Sequence, residues 1–347
     1  MLCAPGTRTA RVITPTDVGE PDDRRDDPRR GRAGQRGPAG VSGGTEPVTI
    51  RALACPATER DPGEGPSEAT AWTEAYGFDG RIDVPGVAGP VRYTDDGLAL
   101  AVLGIGKTST ATAMTSLCRS PRLDLSRAYV LSAGIAGADP AVGTLGAVFL
   151  ADAIVDWDLK QRWAAADAPG TDPPMRPLPF RDRDFVYRPD DRLLAAARTV
   201  AEDVDLASSP AAREHAARYD GAATDREPFV GVGATVCGDE FWHGETLAAH
   251  VQWLVDGYDA GTYATTEAED AATAAVLAEF GHADRHLSVR GVSNFDRPAP
   301  GEPIPASLDD YGGVDVAIEN TFRVASAVAD RIVGNWDRWR DGPPALG

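Results

Sequence analysis

Short apolar runs alternate with longer helix-forming stretches along most of this chain, and this alternation restricts the fold more than any other feature. The apolar runs have the length of strands, and several pass directly into glycine or polar side chains. They span residues 48–55, 98–103, 129–133, 148–155, 231–236 and 287–292. Strands that alternate with helices predict an α/β fold, in which a mainly parallel or mixed sheet carries helices on both faces.

The two ends of the chain differ in composition. Residues 1–46 are rich in Arg, Asp, Gly and Pro, and they cannot bury enough apolar surface to offset the entropy lost on ordering. We therefore expect a disordered tail over residues 1–46 and an α/β domain over residues 47–343. Near the end, apolar residues recur at steps of three and four from Val314 to Trp336, which predicts a long amphipathic helix.

The charge of the chain argues against two classes of partner. Its 347 residues include 34 basic and 53 acidic side chains, and the net charge of -19 would repel nucleic acid and anionic membranes. Such acidity also suits a high-salt cytoplasm. No run reaches the roughly 18 apolar residues that a membrane helix needs, and a signal peptide's apolar core is missing. We therefore expect a cytoplasmic protein with no membrane span.

Cysteine and histidine spacing gives no sign of a metal site. The four cysteines form no CxxC pair, and they are too few for a disulfide framework in a chain of this length. His282 and His286 flank an expected turn between a helix and a strand, so we expect both at the surface. We predict no metal and no cofactor.

Three carboxylates crowd the start of a predicted helix. Glu267, Glu269 and Asp270 fall in its expected first turn. Thr266 stands three residues before Glu269, which is the spacing of a capping box. Acidic residues are common in a first turn because they interact favourably with the helix dipole. The pattern therefore fits an ordinary cap as well as an acidic ligand site.

A second run, Leu287 to Val292, favours the ligand site. It has the pattern of a buried strand, and Ser293, Asn294 and Asp296 follow it. Ligands of open α/β sheets bind beyond the carboxyl ends of strands. The acidic helix start and this strand end are therefore expected to form two walls of one pocket, although Asn294 can also be a simple turn former.

Two glycine-containing turns are candidates for close contact with a ligand. Gly104 and Gly106 precede Lys107 at a helix start, where an anion can bind, although the motif is neither a P-loop nor GxGxxG. Gly134 and Gly137 follow another strand, where small residues let a ligand approach the backbone. Lys107 can equally be an ordinary surface lysine.

Five blocks occur in a characteristic order. They are GIGKTSTATA at 104–113, AYVLSAGIAGADPAVGTLG at 128–146, DAIVDWDL at 152–159, GDEFWHG at 238–244, and TEAEDAATAAVL at 266–277 followed by VRGVSNFD at 289–296. This order resembles the purine nucleoside permease family, whose members look like nucleoside phosphorylases and nucleosidases. The resemblance implies a three-layer nucleoside phosphorylase-like fold with an insertion at about 161–230. It also implies a purine nucleoside ligand, phosphate as a possible co-substrate and a possible homo-oligomer.

The resemblance also assigns roles to the polar residues. Glu269, with Glu267 beside it, would accept hydrogen bonds from the ribose hydroxyls and stay ionised at the helix start. Asn294 would donate a hydrogen bond to N7 of the purine, while protonation would need Asp296 or a water. Glu68 would activate water, with Glu59 as the alternative.

Phe241, Trp242 and His243 complete the predicted site. The two aromatic rings would stack on the base and His243 would reach a ribose hydroxyl, although adjacent aromatics after a strand are also typical of a core. The family usually has Met at the position of Ala268, so the resemblance implies that this chain has a larger ribose pocket or binds the ribose more weakly. Three activities stay open: hydrolysis, which is slightly favoured, phosphorolysis with Lys107 at the anion, and nucleoside binding for uptake.

Overall fold

The computed structural model describes residues 46–61, 64–180, 185–308 and 312–344. The strands are β1 (Val48–Thr49), β2 (Ala52–Cys55), β3 (Gly80–Ile82), β4 (Val91–Tyr93), β5 (Leu98–Leu100), β6 (Leu123–Asp124), β7 (Tyr129–Ala138), β8 (Val148–Asp156), β9 (Lys160–Arg162), β10 (Met175–Pro177), β11 (Val186–Tyr187), β12 (Val230–Cys237), β13 (Tyr263–Glu267) and β14 (His286–Phe295). The predicted tail, apart from Glu46, lies outside the described residues.

Helices separate many of these strands. They are α1 (Thr70–Ala75), α2 (Lys107–Arg119), α3 (Asp191–Ala201), α4 (Pro210–Ala216), α5 (Glu245–Gly257), α6 (Asp270–Glu279), α7 (Ile304–Ser307), α8 (Val314–Gly334) and α9 (Trp336–Trp339), with short 3-10 turns at Ala165–Asp167 and Ala283–Arg285. The predicted amphipathic helix near the C-terminus is confirmed as α8, because its apolar residues face the sheet.

The central sheet is mixed, as predicted. Its strand order is β11-β8-β12-β13-β7-β2-β5-β4-β3, and β14 pairs with both β7 and β8. Since β14 joins these two strands, β7, β14, β8, β12 and β13 close into a ring. The sequence did not predict this closure, because strand periodicity carries no information about which distant strands pair.

Helices cover both faces of the sheet. Alternate residues of β2 point to opposite faces, so that Ala52 and Ala54 join the core beneath α1, α3 and α8. Leu53 joins the core beneath α2, which includes Met114. Each fully buried leucine or methionine contributes about 1.5–3 kcal/mol of transfer free energy. The two cores hold the strands rigidly, and the polar side chains at the strand ends are positioned by them.

Two strands continue further than the sequence predicted. Residues 134–137 belong to β7, and residues 293–295 belong to β14, because the pairing of the two strands continues to Ala138 and Phe295. His286 opens β14 and is only 4% exposed, so its predicted surface position is wrong. The strand enters the sheet at this residue, which buries the imidazole.

Candidate active site

The parallel pairing of β7 and β14 brings several predicted site residues together. Arg290 lies opposite Gly134, and Asn294 lies opposite Gly137. Thr266, just before α6, also pairs with Gly137 from the other side of β7. The acidic start of α6 and the end of β14 therefore meet at one end of β7. The sequence predicted that these two segments lie close together.

A buried arginine organises the carboxylates at this position. The Arg290 side chain is 3% exposed, and its Nη2 atom lies 3.0 Å from Glu267 Oε2 and 2.5 Å from Asp270 Oδ1. Its Nη1 atom lies 3.3 Å from Glu269 Oε2, and its Nε donates to Asp270 Oδ2 over 3.0 Å. One guanidinium therefore holds three carboxyl groups in fixed positions.

The start of α6 differs from the predicted capping box. Thr266 and Glu267 belong to β13, and Glu269 is the N-cap residue of α6 without a capping hydrogen bond from its own side chain. Instead, Glu267 Oε2 accepts the backbone N–H groups of Glu269 (2.7 Å) and Asp270 (2.9 Å). The capping-box prediction is wrong because β13 extends through Glu267 before the helix begins.

Burial and the neighbouring charges shift the pKa values of these carboxyl groups in different directions. Burial, reinforced by Asp270, raises the pKa of Glu267 to about 8, although Arg290 opposes this. Burial also raises the pKa of Glu269, despite Arg290, contrary to the expectation that a helix start favours its ionised form. Burial opposes ionisation of Asp270 too, but Arg290 outweighs it and the net pKa is lowered.

Glu68 reaches the same region from the segment before α1. It is 7% exposed, and its Oε2 accepts the backbone N–H groups of Ala57 (2.7 Å) and Thr58 (3.0 Å). Its Oε1 accepts the N–H of Ile135 over 2.8 Å. The carboxyl group is therefore tied to β7 beside Gly134.

Gly134 allows two charged groups to approach the backbone of β7. A Cβ atom added at Gly134 would lie 2.7 Å from Arg290 Nη1 and 2.8 Å from Glu68 Oε1. Any other residue would displace one of these groups, since contacts below 3.0 Å are too short for a Cβ. Glu68, Arg290 and Glu269 are thereby joined in one cluster, which we call the carboxylate cluster together with Glu267 and Asp270.

The predicted anion site at the start of α2 has a different role. Gly104 and Gly106 have φ angles of 85° and 86°, a region that favours glycine. The N–H of Gly106 donates to Glu269 Oε1 over 3.1 Å. The turn therefore binds a carboxylate of the protein itself and helps to position Glu269.

Lys107 is engaged by two carboxylates. Its Nζ atom lies 2.7 Å from Asp156 Oδ1 and 2.9 Å from Asp158 Oδ2. Burial alone would lower the pKa of Lys107, but the hydrogen bonds and charges of Asp156 and Asp158 give a net rise. Because this charge is already neutralised, the structure does not support Lys107 as an anion ligand.

Asn294 lies beside Gly137 at the end of β14. Its side-chain Oδ1 accepts from Ser293 Oγ over 2.8 Å, and its Nδ2 donates to the Phe295 carbonyl over 3.2 Å. The Nδ2 atom would lie 3.1 Å from a Cβ at Gly137. The side chain is partly exposed, so its predicted role as a donor to a base stays open.

Asp296 belongs to a neighbouring buried cluster. Its Oδ2 accepts from Tyr263 Oη over 3.0 Å, and its Oδ1 accepts from Arg297 Nε over 2.7 Å. Burial raises its pKa to about 6, although Arg297 opposes this. The Asp296 side chain is 0% exposed and is held by these two partners, and its role as a proton donor stays a prediction.

The three predicted residues of the GDEFWHG block have different surroundings. Phe241 is 81% exposed, while Trp242 packs against Trp157, with ring centroids 6.2 Å apart. Trp242 therefore matches the alternative of a core aromatic. His243 Nε2 lies 2.9 Å from Ser307 Oγ, and burial lowers the imidazole pKa. Contacts of Phe241 and His243 with a ligand stay predictions.

Glu59, the alternative base, lies elsewhere. Its two carboxylate oxygens accept from Arg92 Nη2 over 2.7 Å and Arg92 Nη1 over 3.1 Å. This bidentate pair fixes the side chain at the outer strand β4. Of the two glutamates proposed to activate water, the structure brings Glu68 to the carboxylate cluster.

Comparison with known proteins decides the family. Residues 59–344 match the family model described as purine nucleoside permease. The chain belongs to the purine nucleoside permease family. A probable purine nucleoside permease of Schizosaccharomyces pombe is 28% identical over 263 residues, which cover 68% of this chain and 76% of that protein. A purine nucleoside permease of Candida albicans is 27% identical over 314 residues, covering 81% and 73%.

Solved structures show the fold of this purine nucleoside permease family member. A 5'-methylthioadenosine/S-adenosylhomocysteine nucleosidase of Neisseria meningitidis has a TM-score of 0.54 at 19% identity, and the alignment covers 81% of this chain and all 100% of that one. A futalosine hydrolase of Helicobacter pylori has a TM-score of 0.52 at 19% identity, covering 81% and 98%. The predicted nucleoside phosphorylase-like fold is confirmed.

A helix that crosses a membrane must be both long and apolar. Within the described ranges, no helix of this permease family member has both the length and the apolarity required to cross a bilayer.

Sequence reasoning missed two residues of this permease family site. Arg290 and Asp270 form the centre of the carboxylate cluster, but neither was predicted as a site residue. An arginine within an otherwise apolar strand was the available signal, because a buried guanidinium requires carboxylate partners. The TEAED segment, with three carboxylates, was the nearest source of such partners.

Proposed function

We propose that this protein binds purine nucleosides and hydrolyses their N-glycosidic bond. The observation that carries the proposal is the convergence of Glu68, Arg290 and Glu269 around Gly134. Hydrolysis of a nucleoside needs one group that binds the ribose and a second that activates water. The names of the relatives indicate that the substrate is a purine nucleoside. The two carboxyl groups near Arg290 can bind the ribose and activate the water.

Glu68 has the hydrogen-bonding capacity of a general base. Its Oε1 accepts one backbone N–H, from Ile135, and a carboxylate oxygen has two lone pairs, so one remains for a water. In the proposed reaction, the water oxygen forms a bond to the anomeric carbon and its proton passes to Glu68. The bond from that carbon to the base breaks, and its electron pair leaves with the purine, which Asn294 stabilises through a hydrogen bond to N7.

The charge of the site favours water over phosphate as the nucleophile. Arg290 is shared among three carboxyl groups, and Lys107 is neutralised by two more. An excess of carboxylates stabilises the cationic ribose of an oxocarbenium-like transition state. Arg290 and Lys107 are already paired with these carboxyl groups, so neither cation is available to neutralise a phosphate dianion. These charges support hydrolysis.

A second function follows from the names of the relatives, which are called permeases. A nucleoside-binding protein that serves uptake needs Glu269 and Asn294 for recognition, but it needs no base. In that case, Glu68 has only a structural role: its hydrogen bonds with backbone N–H groups hold the segment before α1 against β7. The two functions therefore make opposite predictions for base release.

The test is the release of free base from inosine and adenosine, with uridine as the pyrimidine control, in high salt with and without phosphate. We expect release without phosphate, and a fall of about 100-fold or more in Glu68→Gln, because general base catalysis typically contributes about 10²–10⁴-fold. Glu59→Gln is the matched control and should stay near wild type. Glu269→Gln should raise the KM or lower the rate through loss of ribose contacts.

Three outcomes would change the conclusion. Release that requires phosphate would establish phosphorolysis. Binding of inosine without release of base would establish the uptake function. Equal activity of Glu68→Gln and the wild type would remove Glu68 from the mechanism.

A further inference from the structure

A cavity of about 230 Å³ lies beside the first residues of β14. Its lining includes Ala151, Ile154, Val186 and Ala274 as apolar walls, with His286 and Ser288 as polar groups. His286 precedes Arg290 by four residues, which corresponds to roughly 13 Å along an extended strand. The residues of the carboxylate cluster do not line this cavity, although Ser288 of the lining is hydrogen-bonded to Asp270 of the cluster.

The buried polar groups of the cavity, His286 and Ser288, are neutral. His286 Nε2 lies 2.9 Å from Ser132 Oγ, and burial lowers the pKa of the imidazole to about 4. At neutral pH the ring therefore carries one N–H donor and one acceptor nitrogen. Because Nε2 is taken by Ser132, Nδ1 is the ring nitrogen that can meet a ligand. Ser288 donates its hydroxyl to Asp270 and keeps its oxygen as an acceptor.

The remaining lining limits the charge of a ligand. Arg188 lines the cavity, but its residue is exposed and its Nη2 donates to the Asp259 carbonyl over 2.7 Å. A charged group placed against the alanines, Ile154 and Val186 would lose its hydration without a buried counter-charge, which costs several kcal/mol or more. A neutral molecule with a few polar atoms fits these surroundings best.

We propose that this cavity is a second binding site, which takes a neutral, planar heterocycle with an N–H donor and a ring acceptor nitrogen. An apolar cavity of about 150 Å³ can hold benzene, so the larger cavity here accommodates a fused bicyclic ring. The ring lies between the apolar walls, and its polar edge meets His286 and Ser288. The apolar walls supply most of the affinity, and the two polar side chains select the ligand.

Hydrogen bonds connect this cavity to the carboxylate cluster. Asp270 Oδ2 accepts both from Ser288 Oγ and from Arg290 Nε, the latter over 3.0 Å. Arg290 in turn contacts Glu269. A ligand that competes for Ser288 changes the bonding of Asp270 and hence the position of Arg290. The expected effect on nucleoside affinity rests on the function proposed above, whereas the binding site itself does not.

Benzimidazole is a suitable probe, because it is neutral at pH 8 and carries one N–H and one acceptor nitrogen. Its binding to the full chain is measured by isothermal titration calorimetry. Ala274→Leu fills the cavity from α6 and should weaken binding at least tenfold. Ala278→Leu makes the same change at an exposed position of the same helix and should leave the affinity within about twofold.

A second variant protects the test against misfolding. Ala283 lines the cavity but is exposed, so Ala283→Phe can obstruct the cavity without overfilling the core. We expect the same tenfold loss of affinity. Wild-type affinity for benzimidazole in both Ala274→Leu and Ala283→Phe, with both variants folded by circular dichroism, overturns the proposal, as does failure of the wild type to bind.

The effect of the cavity ligand on nucleoside affinity is measured separately. The Kd of inosine is measured with Glu68→Gln, in which turnover is expected to be about 100-fold slower or more, in the absence and presence of saturating benzimidazole. We expect at least a threefold shift, which disappears when Ala274→Leu is added. An unchanged Kd overturns the connection but not the second site. If inosine does not bind at all, the proposed function fails and the connection with it, while benzimidazole binding still decides the second site.

Discussion

Replacement of Arg290 by methionine would test how the buried carboxyl groups are held. Arg290 lies 3.0 Å from Glu267, 3.3 Å from Glu269 and 2.5 Å from Asp270. Methionine is close in length to the arginine stem, but it removes the charge and all the N–H donors. The three carboxyl groups would remain buried without their shared cation.

The loss of the shared cation should lower the free energy of unfolding. Removing one partner of a buried ion pair typically costs about 3–5 kcal/mol, because the other charge stays buried and unpaired. Because burial raises the pKa of Glu267, its ionised form is less favoured and the loss falls mainly on Asp270 and Glu269. Since a domain is stable by only about 5–15 kcal/mol, this is a large fraction of the total. At about 2–4 °C per kcal/mol, the Tm should fall by roughly 10 °C.

The loss of stability in Arg290→Met should depend on pH and should be larger at high pH. Arg290 outweighs burial and lowers the pKa of Asp270, so this ion pair stabilises the protein above the unfolded pKa. That stabilisation is lost as the pH falls through the lower folded pKa. In Arg290→Met the carboxyl groups stay buried without a counter-charge, which raises their pKa values and favours their protonated forms. The deficit of the variant should therefore be largest near pH 8 and shrink toward about pH 4.

Urea denaturation followed by tryptophan fluorescence at pH 8 and pH 5 measures this difference. Arg323→Met is the matched control, because Arg323 pairs with Glu319 at a partly exposed position of α8. An exposed helix pair contributes only about 0.3–0.5 kcal/mol. Equal losses for the two variants, or an Arg290→Met deficit that does not shrink at pH 5, would refute the reasoning.

Three further predictions concern stability and are measured by urea denaturation. Because burial raises the pKa of Glu267 to about 8, wild-type stability should fall as pH rises from about 4.5 toward 8, and Glu267→Gln should fall less; parallel curves would contradict this. In Gly291→Ala the new Cβ would lie 2.2 Å from a buried hydroxyl oxygen, so we expect a loss of about 1–3 kcal/mol or more. Gly334→Ala, with nothing within 4 Å, should gain up to about 1 kcal/mol, and a matching loss there would show that crowding is not the cause. Tyr263→Phe removes the donor 3.0 Å from Asp296 Oδ2 and should cost about 1.5–3 kcal/mol, whereas an unchanged midpoint would mean that this hydrogen bond contributes nothing.

Part of the site was accessible from local patterns. The acidic TEAED segment and the polar end of the following strand indicated a pocket, and the structure brings Glu269 and Asn294 to neighbouring strand ends. The resemblance to a family supplied Glu68. The roles of Gly106 and Lys107 were less accessible, since their partners Glu269 and Asp156 lie 163 and 49 residues away in the sequence.

The sequence by itself determined the kinds of elements and their order. Periodicities of two and of three to four residues are local, so they predicted the strand at 148–155 and the long helix α8 without knowledge of any contact. Composition likewise determined the acidic surface. These properties depend on residues that are near one another in the chain.

Only the tertiary structure decided which distant groups meet. The closure of five strands through β14, the gathering of Glu267, Glu269 and Asp270 around Arg290, and the neutralisation of Lys107 all depend on strand register. Charged side chains in a buried place must find opposite charges, but the sequence does not state which ones. The fold makes that choice, because the pairing of β7 with β14 determines which side chains become neighbours.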